Sequence, residues 1–437
     1  MKDSPKSQAE ILSKLGIENL NPMQIEAYDS IQSNQEIILL SPTGTGKTLA
    51  FLLPIITQLD SEISEVQVLI LTPSRELAIQ IEQVIREMGT GYKANAVYGG
   101  RPFSKDKIDL KHPPAILIGT PGRVADHLRR STFSTEHIKT LVLDEYDKSL
   151  EVGFEEQMKE VIEALPSTKK KVLTSATQQR NIPPFVKLKN PSILNFTQNG
   201  SAELKLKSVI SPDKDKLDTL VELLSHIGNH LGIVFCNFKE SIERVSEVLV
   251  DHNIVHGVFH GGMEQIDRER ALIKFRNGTH QLLVATDLAA RGIDIPELKF
   301  IIHYHLPLKS HEFTHRNGRT ARMNSDGTAY ILKWKNENLP DFIKNAEVEE
   351  LKSAPTPSST GWKTLYVTGG RRDKISKGDI AGLFFKQGKL RPEQLGLIEL
   401  KQDCAFVAVP SDAVKNLLPL VNDYKLKTKK VRVSVIR

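Results

Sequence analysis

The sequence predicts an α/β protein with two parallel-sheet domains in tandem and a small α+β domain at the C-terminal end. Three observations carry this. Short apolar runs ending in small or polar residues alternate with helical patterns through the first 200 residues. The alternation then restarts, with the two domains joined near residues 197–212. A Pro/Ser/Thr stretch at 353–360 has linker composition, and the residues beyond it alternate apolar and polar with a two-residue period. The boundaries are read as 1–200, 201–350, a linker at 351–361, and 362–437.

In the first domain, strands are expected at Ile37–Leu40, Val66–Leu71, Ala115–Ile118, Leu141–Leu143 and Val172–Leu173. Ligands bind at the carboxyl edge of such a sheet. The first strand runs into Ser41-Pro42-Thr43-Gly44-Thr45-Gly46-Lys47-Thr48, and an apolar helix pattern follows from Leu49 to Ile56. Strand, glycine loop and helix are the context of a phosphate-binding loop. Glycines let successive N–H groups from Thr43 to Gly46 face phosphate oxygens, and the helix N-terminus adds its dipole. Lys47 reaches the terminal phosphates, and Thr48 offers a hydroxyl to Mg²⁺. The fourth strand ends in Asp144-Glu145. A phosphate-loop enzyme needs an acid there for Mg²⁺, assigned to Asp144, and a second to position water, assigned to Glu145.

The second domain repeats the pattern at Ile233–Phe235, Gly257–Phe259, Leu282–Val284, Phe300–Ile302 and Ala329–Ile331, with helical segments at Glu240–His252 and Gln265–Phe275. No lysine-bearing phosphate loop recurs in it. Arg319 and Arg322 stand three apart, so on a helix they share a face and could reach a γ-phosphate.

In the third domain, strands are expected at Thr364–Val367, Cys404–Val409 and Val431–Ile436, with helices near Ile375–Phe385 and Ala413–Val421. Residues 362–437 hold 16 Lys+Arg against 7 Asp+Glu, a net of +9, while residues 1–361 hold 43 against 46. A basic unit on a near-neutral body points to a polyanion, most simply nucleic acid. Two distant cysteines, Cys236 and Cys404, give no disulfide framework and fit a reducing compartment. No apolar N-terminal signal region and no membrane-length apolar run is present, so a cytoplasmic protein without a membrane partner is expected.

Asp144-Glu145-Tyr146-Asp147 resembles the motif of DEAD-box RNA helicases, with Tyr where the family has Ala. Asn21-Pro22-Met23-Gln24 resembles the Q motif, whose glutamine reads adenine. Pro73-Ser74-Arg75-Glu76-Leu77-Ala78, Gly99-Gly100 with Arg101, and Thr120-Pro121-Gly122-Arg123 resemble the RNA-contacting motifs, and Ser175-Ala176-Thr177 the motif that couples hydrolysis to strand separation. Val234 to Asn237, His260-Gly261 with Gln265 and Arg268, Ala285 to Asp294, and His315 to Arg322 resemble the second-domain motifs in order. The match covers roughly residues 15–335.

The resemblance implies two RecA-like domains and an ATP- and Mg²⁺-dependent RNA helicase. It makes Gln24, Gly292 and Asp294 nucleotide contacts, and Arg319 and Arg322 the fingers. Asp147, Ser175, Thr177 and His315 become coupling residues. Pro73, Arg75, Gly100, Arg101, Thr120, Gly122, Arg123, Thr286 and Asp287 become RNA contacts. Leu365 to Gly370 resembles the first RNA-recognition strand of an RRM. Tyr366 and Phe406 are either face or core residues. Gly369 to Ile380 resembles the start of the RNA-binding domain of DbpA-type bacterial helicases, which implies a large-subunit ribosomal RNA or pre-ribosomal partner. Arg371, Arg372, Lys374 and Lys377 are its candidate contacts, and the domain is expected to tether a monomeric core to that RNA. An ATP-gated clamp that does not unwind and a general mRNA-remodelling helicase are the alternatives.

Overall fold

A computed structural model describes residues 6–151, 153–176, 182–197, 204–287, 295, 298–320 and 326–436. The chain divides into two compact units, the first essentially residues 1–202 and the second most of 203–437.

The first unit is built on seven parallel strands: β1 (Glu36–Leu40), β2 (Val68–Leu71), β3 (Ala94–Val97), β4 (Ile116–Gly119), β5 (Thr140–Leu143), β6 (Lys170–Ser175) and β7 (Ser192–Asn195). Their order is β3-β4-β2-β5-β6-β1-β7. Both faces are covered, so the strands are nearly all apolar. Ile37 and Leu39 enter one core with the helices Pro22–Ser33, Lys47–Ile56 and Arg75–Met88. Ile38 and Leu40 enter the other with Pro121–Arg129 and Glu155–Glu163. Local signals start these helices. Asn21 caps Pro22–Ser33 in a reciprocal box with Gln24, and Ser74 caps Arg75–Met88 by accepting from the Leu77 N–H.

The second unit carries β8 (Leu204–Ser211), β9 (Gly232–Phe235), β10 (His256–Phe259), β11 (Leu282–Ala285), β12 (Phe300–His303), β13 (Gly327–Trp334) and β14 (Glu347–Val348), ordered β10-β11-β9-β12-β13-β8-β14 and all parallel. These two sheets are RecA-like lobes. The same unit holds a smaller antiparallel sheet of β15 (Trp362–Thr368), β16 (Ile398–Leu400), β17 (Cys404–Pro410) and β20 (Val433–Val435), ordered β16-β17-β15-β20. A separate hairpin pairs β18 (Tyr424–Leu426) with β19 (Lys429–Val431).

One expectation needs correction. The run Val431–Ile436 is two strands in two sheets, because the chain turns at Arg432: its N–H goes to Thr368 Oγ1 and that of Val433 to Asn422 Oδ1. The small domain is docked on the second lobe. Its open sheet face lies on helix Gln265–Arg276 of the second lobe, where Ile273, Phe406 and Ile436 form one cluster with Tyr366 and Cys404 at its margin. Arg276 grips Glu399 through two nitrogens, Nε at 3.1 Å and Nη2 at 2.8 Å. The Thr279 and Thr364 hydroxyls bond at 2.7 Å. Among the described residues, no helix is long and apolar enough to cross a membrane.

Candidate functional site

The carboxyl ends of β1, β2, β4, β5 and β6 deliver the first lobe's candidate residues to one edge. After β1 the loop Ser41–Gly46 leads into helix Lys47–Ile56, whose first N–H groups carry no side-chain cap. Gly46 has φ +87°, and a Cβ there would overlap the Gln24 amide, so only glycine fits. Gln24 donates to the Gly46 carbonyl at 3.3 Å, and Asn21 to the Thr45 carbonyl at 3.0 Å. The Asn21–Gln24 segment and the glycine loop are thus one hydrogen-bonded unit, through Asn21 as well as the expected Gln24. Lys47 Nζ donates to the carbonyls of Ser41 (2.6 Å) and Pro42 (2.7 Å). The Ser41 N–H donates to the Ser175 carbonyl at 3.0 Å, which ties the end of β6 to the root of the loop.

Asp144 follows β5 and is buried. Thr174 on β6, which the sequence did not single out, donates to Asp144 Oδ1 and accepts the Glu145 N–H at 3.1 Å. Glu145 sits at φ +46°, a strained conformation for a non-glycine residue, and this bond helps hold it. Burial pushes the Asp144 carboxyl above its usual range; the Thr174 hydrogen bond and the Lys47 charge oppose that push. A divalent cation would supply the missing countercharge, so the donor set Thr48 and Asp144 fits Mg²⁺. Tyr146 is buried in the core shared with Leu143, Met158 and Val186.

The other loops of this edge also converge. A Cβ on Gly100 (φ +85°) would overlap the Arg75 guanidinium, so motif residues 75 and 100 touch. Arg101 and Arg123 share the buried carboxylate of Asp106, at 3.3 and 2.9 Å. Thr120 and Pro121 open helix Pro121–Arg129 at the end of β4.

In the second lobe, Thr286 and Asp287 follow β11. Asp287 makes a two-point ion pair with Arg316, Oδ1 to Nε at 2.6 Å and Oδ2 to Nη2 at 2.8 Å. Arg316, fully buried, also donates to Asn237 Oδ1 and the His305 carbonyl, each at 2.7 Å, and lies over the Phe235 ring. This clamp joins three of the motif segments, yet sequence spacing gave no sign of Arg316. Arg319 lies beyond the helix that carries His315, and Arg322 is outside the described residues. The helix Ser310–Asn317 ends first, and the Arg319 N–H closes a turn on the Arg316 carbonyl at 3.1 Å while Thr320 pairs with Leu298. His315 and Arg319 are both buried. Thr177, Gly292, Asp294 and Arg322 lie outside the described residues.

In the small domain, Arg371 and Arg372 lie in a 3₁₀ turn, Lys374 follows it, and Lys377 opens helix Lys377–Lys386 behind a Ser376 cap. Arg372, Lys374 and Lys377 are exposed, and Arg371 is half-buried.

Comparison with known proteins adds three family models in this order: "DEAD/DEAH box helicase" over residues 21–184, "Helicase conserved C-terminal domain" over 215–324, and "DbpA RNA binding domain" over 364–435. The ATP-dependent RNA helicase DbpA of Escherichia coli is 30% identical over 447 residues, covering 99% of this chain and 98% of the relative. That of Bacillus subtilis is 29% identical over 459 residues, covering 97% and 96%. Among solved structures, S. cerevisiae Dbp5 bound to RNA and ADP BeF3 matches with a TM-score of 0.67 at 29% identity, covering 75% of this chain and 88% of the other. Mss116p bound to single-stranded RNA and AMP-PNP matches at 0.65 and 26% identity, covering 75% and 72%.

Proposed function

Because this chain belongs to the DEAD-box ATP-dependent RNA helicases and carries a DbpA-type RNA-binding domain, it is an RNA-dependent ATPase, and we propose that it opens short duplexes in large-subunit ribosomal RNA during ribosome assembly. The observation that carries the reading is the small domain: its sheet face is committed to the second lobe, while the turn bearing Arg372, Lys374 and Lys377 stays exposed. Charged residues on such a turn suit phosphate and groove contacts.

In this reading ATP lies along the Gln24–Gly46 unit with its phosphates toward Lys47, and Mg²⁺ is held by Thr48 and Asp144. Glu145 positions the attacking water. Arg319 and Arg322 stabilise the charge that develops on the phosphate when RNA binding closes the lobes, a contribution typically of ~10³–10⁵ in rate. Closure bends one strand and expels its partner. The protein acts as a monomer in the cytoplasm. The clamp alternative rests on Tyr146, whose ring lies in the core beside the acids it separates.

The test is RNA-stimulated ATPase and strand displacement at one salt concentration. A large-subunit fragment from the peptidyl-transferase region is compared with an unrelated structured RNA of equal length. Preference for the first supports the assignment. Equal stimulation removes the ribosomal substrate, and ATPase without strand displacement returns the clamp.

A further inference from the structure

We propose that Asp106 is a positioning residue for RNA: a single buried carboxylate that sets the register of the two arginines on the first lobe's RNA edge. The inference rests on the reading that Arg75, Gly100, Arg101 and Thr120–Arg123 form that edge.

Asp106 lies within helix Phe103–Asp109 and has no exposed surface. Three basic side chains converge on it from two loops. Arg101, directly after the Gly99-Gly100 turn, places Nη1 3.3 Å from Oδ1. Arg123, in the first turn of helix Pro121–Arg129, places Nε 2.9 Å from Oδ2. His127, one turn further on, places Nε2 3.3 Å from the same oxygen. The arginines are also joined directly, Arg123 Nη2 donating to the Arg101 carbonyl, and each has an outer carboxylate, Asp109 for Arg101 and Asp126 for Arg123. Phe103 closes the group, stacked on His127 at 4.5 Å with the Arg123 guanidinium 5.4 Å from its ring centre.

All three nitrogens of the Arg123 guanidinium thus face protein acceptors, and its side chain is only 12% exposed. Arg123 acts here as a brace. It ties the Thr120–Gly122 helix start to the Gly100 turn, across which Arg75 lies. Two guanidinium groups at such close quarters repel, and Asp106 is the fully buried anion that lets them sit together. A buried ion pair is a poor source of net stability compared with apolar packing, and fixing a register is the better-attested use of such a group. The carboxylate therefore spaces two segments whose backbone amides and small residues must meet successive phosphates.

The two roles differ in sign. Loss of a negative charge beside an RNA edge should tighten binding through the general field. Loss of a positioning group should weaken it. The experiment is an anisotropy titration of a labelled ten-uridine strand with the full chain and a non-hydrolysable ATP analogue at 10 °C, with thermal unfolding measured in parallel. Asp106→Asn is expected to weaken RNA binding about ten-fold, the scale of one lost charge-assisted contact, while affinity for the analogue stays unchanged. His127→Gln removes the third partner but leaves both arginines on Asp106; it should lower thermal stability and leave RNA affinity alone. Asp109→Asn, at a half-buried position that pairs with Arg101, should weaken RNA binding in the same direction by less, with thermal unfolding as the control for folding. Unchanged or tighter binding in both aspartate variants, or equal weakening by His127→Gln, overturns the inference. Arg75→Ala and Arg101→Ala separate the two readings. If neither weakens RNA binding, the edge itself is misassigned and the inference falls with it. If both do and the aspartate variants do not, only the role of Asp106 is wrong.

Discussion

Replacing Tyr146 by the alanine usual in the family should harm stability and spare chemistry. The ring is 1% exposed and belongs to the core beneath helix Glu155–Glu163. Burial pushes its phenol up to about 12, so it stays neutral at any ordinary pH. An aromatic of this size buries ~150–250 Å², worth roughly 4–6 kcal/mol as an upper bound at ~25 cal/mol/Å². Measured truncations of core aromatics to alanine cost about 3–5 kcal/mol. At a urea slope of ~3 kcal/mol/M, Tyr146→Ala should lower the first lobe's midpoint by about 1–2 M. The chain offers a clean assay, because both tryptophans, Trp334 and Trp362, belong to the second unit. Tryptophan fluorescence then follows the second unit alone, while far-ultraviolet circular dichroism follows both. The dichroism transition should split or shift early and the fluorescence midpoint should stay put. RNA-stimulated ATPase measured in the cold should persist, since Thr174 still holds Asp144 and Glu145. An unchanged dichroism midpoint with a ten-fold change in ATPase would refute the reasoning and return the ring to the nucleotide edge.

Two further outcomes follow from the geometry. Lys47→Ala should weaken nucleotide affinity by roughly ten- to a hundred-fold, the loss of a charge-assisted bond to phosphate of about 1.5–3 kcal/mol, read by titration with a fluorescent ADP. Glu399→Ala should loosen the small domain from the second lobe by about 1.5–3 kcal/mol, read as faster protease cleavage within 353–360 while the first lobe stays intact. Burial pushes the Glu399 carboxyl up, but Arg276 and Lys401 outweigh it and hold it below its ordinary value. A depressed carboxylate stabilises the docked form above its unfolded pKa of ~4.3 and loses that contribution as pH falls through the folded value. Docking should therefore be flat with pH down to about 4.3 and weaken only below it; weakening near pH 6 would point to a different group.

Most of the nucleotide edge was legible because each of its loops follows a strand buried on both faces. Such strands read as uninterrupted apolar runs, so what stands immediately after Leu40 or Leu143 is placed at the carboxyl edge by counting alone. The edge strands β3 and β7 escaped notice, since Ala94-Asn95 and Ser192 are only partly buried and break the run. Buried polar partners escaped for another reason. Thr174 acts on Asp144, 30 residues away, and Asp106 on Arg123, 17 away, with nothing local to mark either; Arg316 stands within the motif His315 to Arg322, but its partner Asp287 is 29 residues off.

The small domain's sheet face was ambiguous because its partner hides its own pattern. Helix Gln265–Arg276 buries Ala271, Leu272, Ile273 and Phe275 in near succession. A helix with one covered face shows apolar residues at three- and four-residue spacing, and a helix gripped from two sides loses that signature. Here the small domain covers Ile273 through Phe406 and Ile436, while Leu272 and Phe275 are buried beside it. The missing amphipathic pattern is thus itself a trace of the docking. With Phe406 turned to protein and Tyr366 packed against it at 5.5 Å, the face on which an RRM would stack bases is spent. In the proposed function this domain meets RNA through its basic turn, and Arg276 with Glu399 joins the domain to the lobe that carries Thr286 and Arg319. A hairpin bound at that turn would then move with the second lobe as one body.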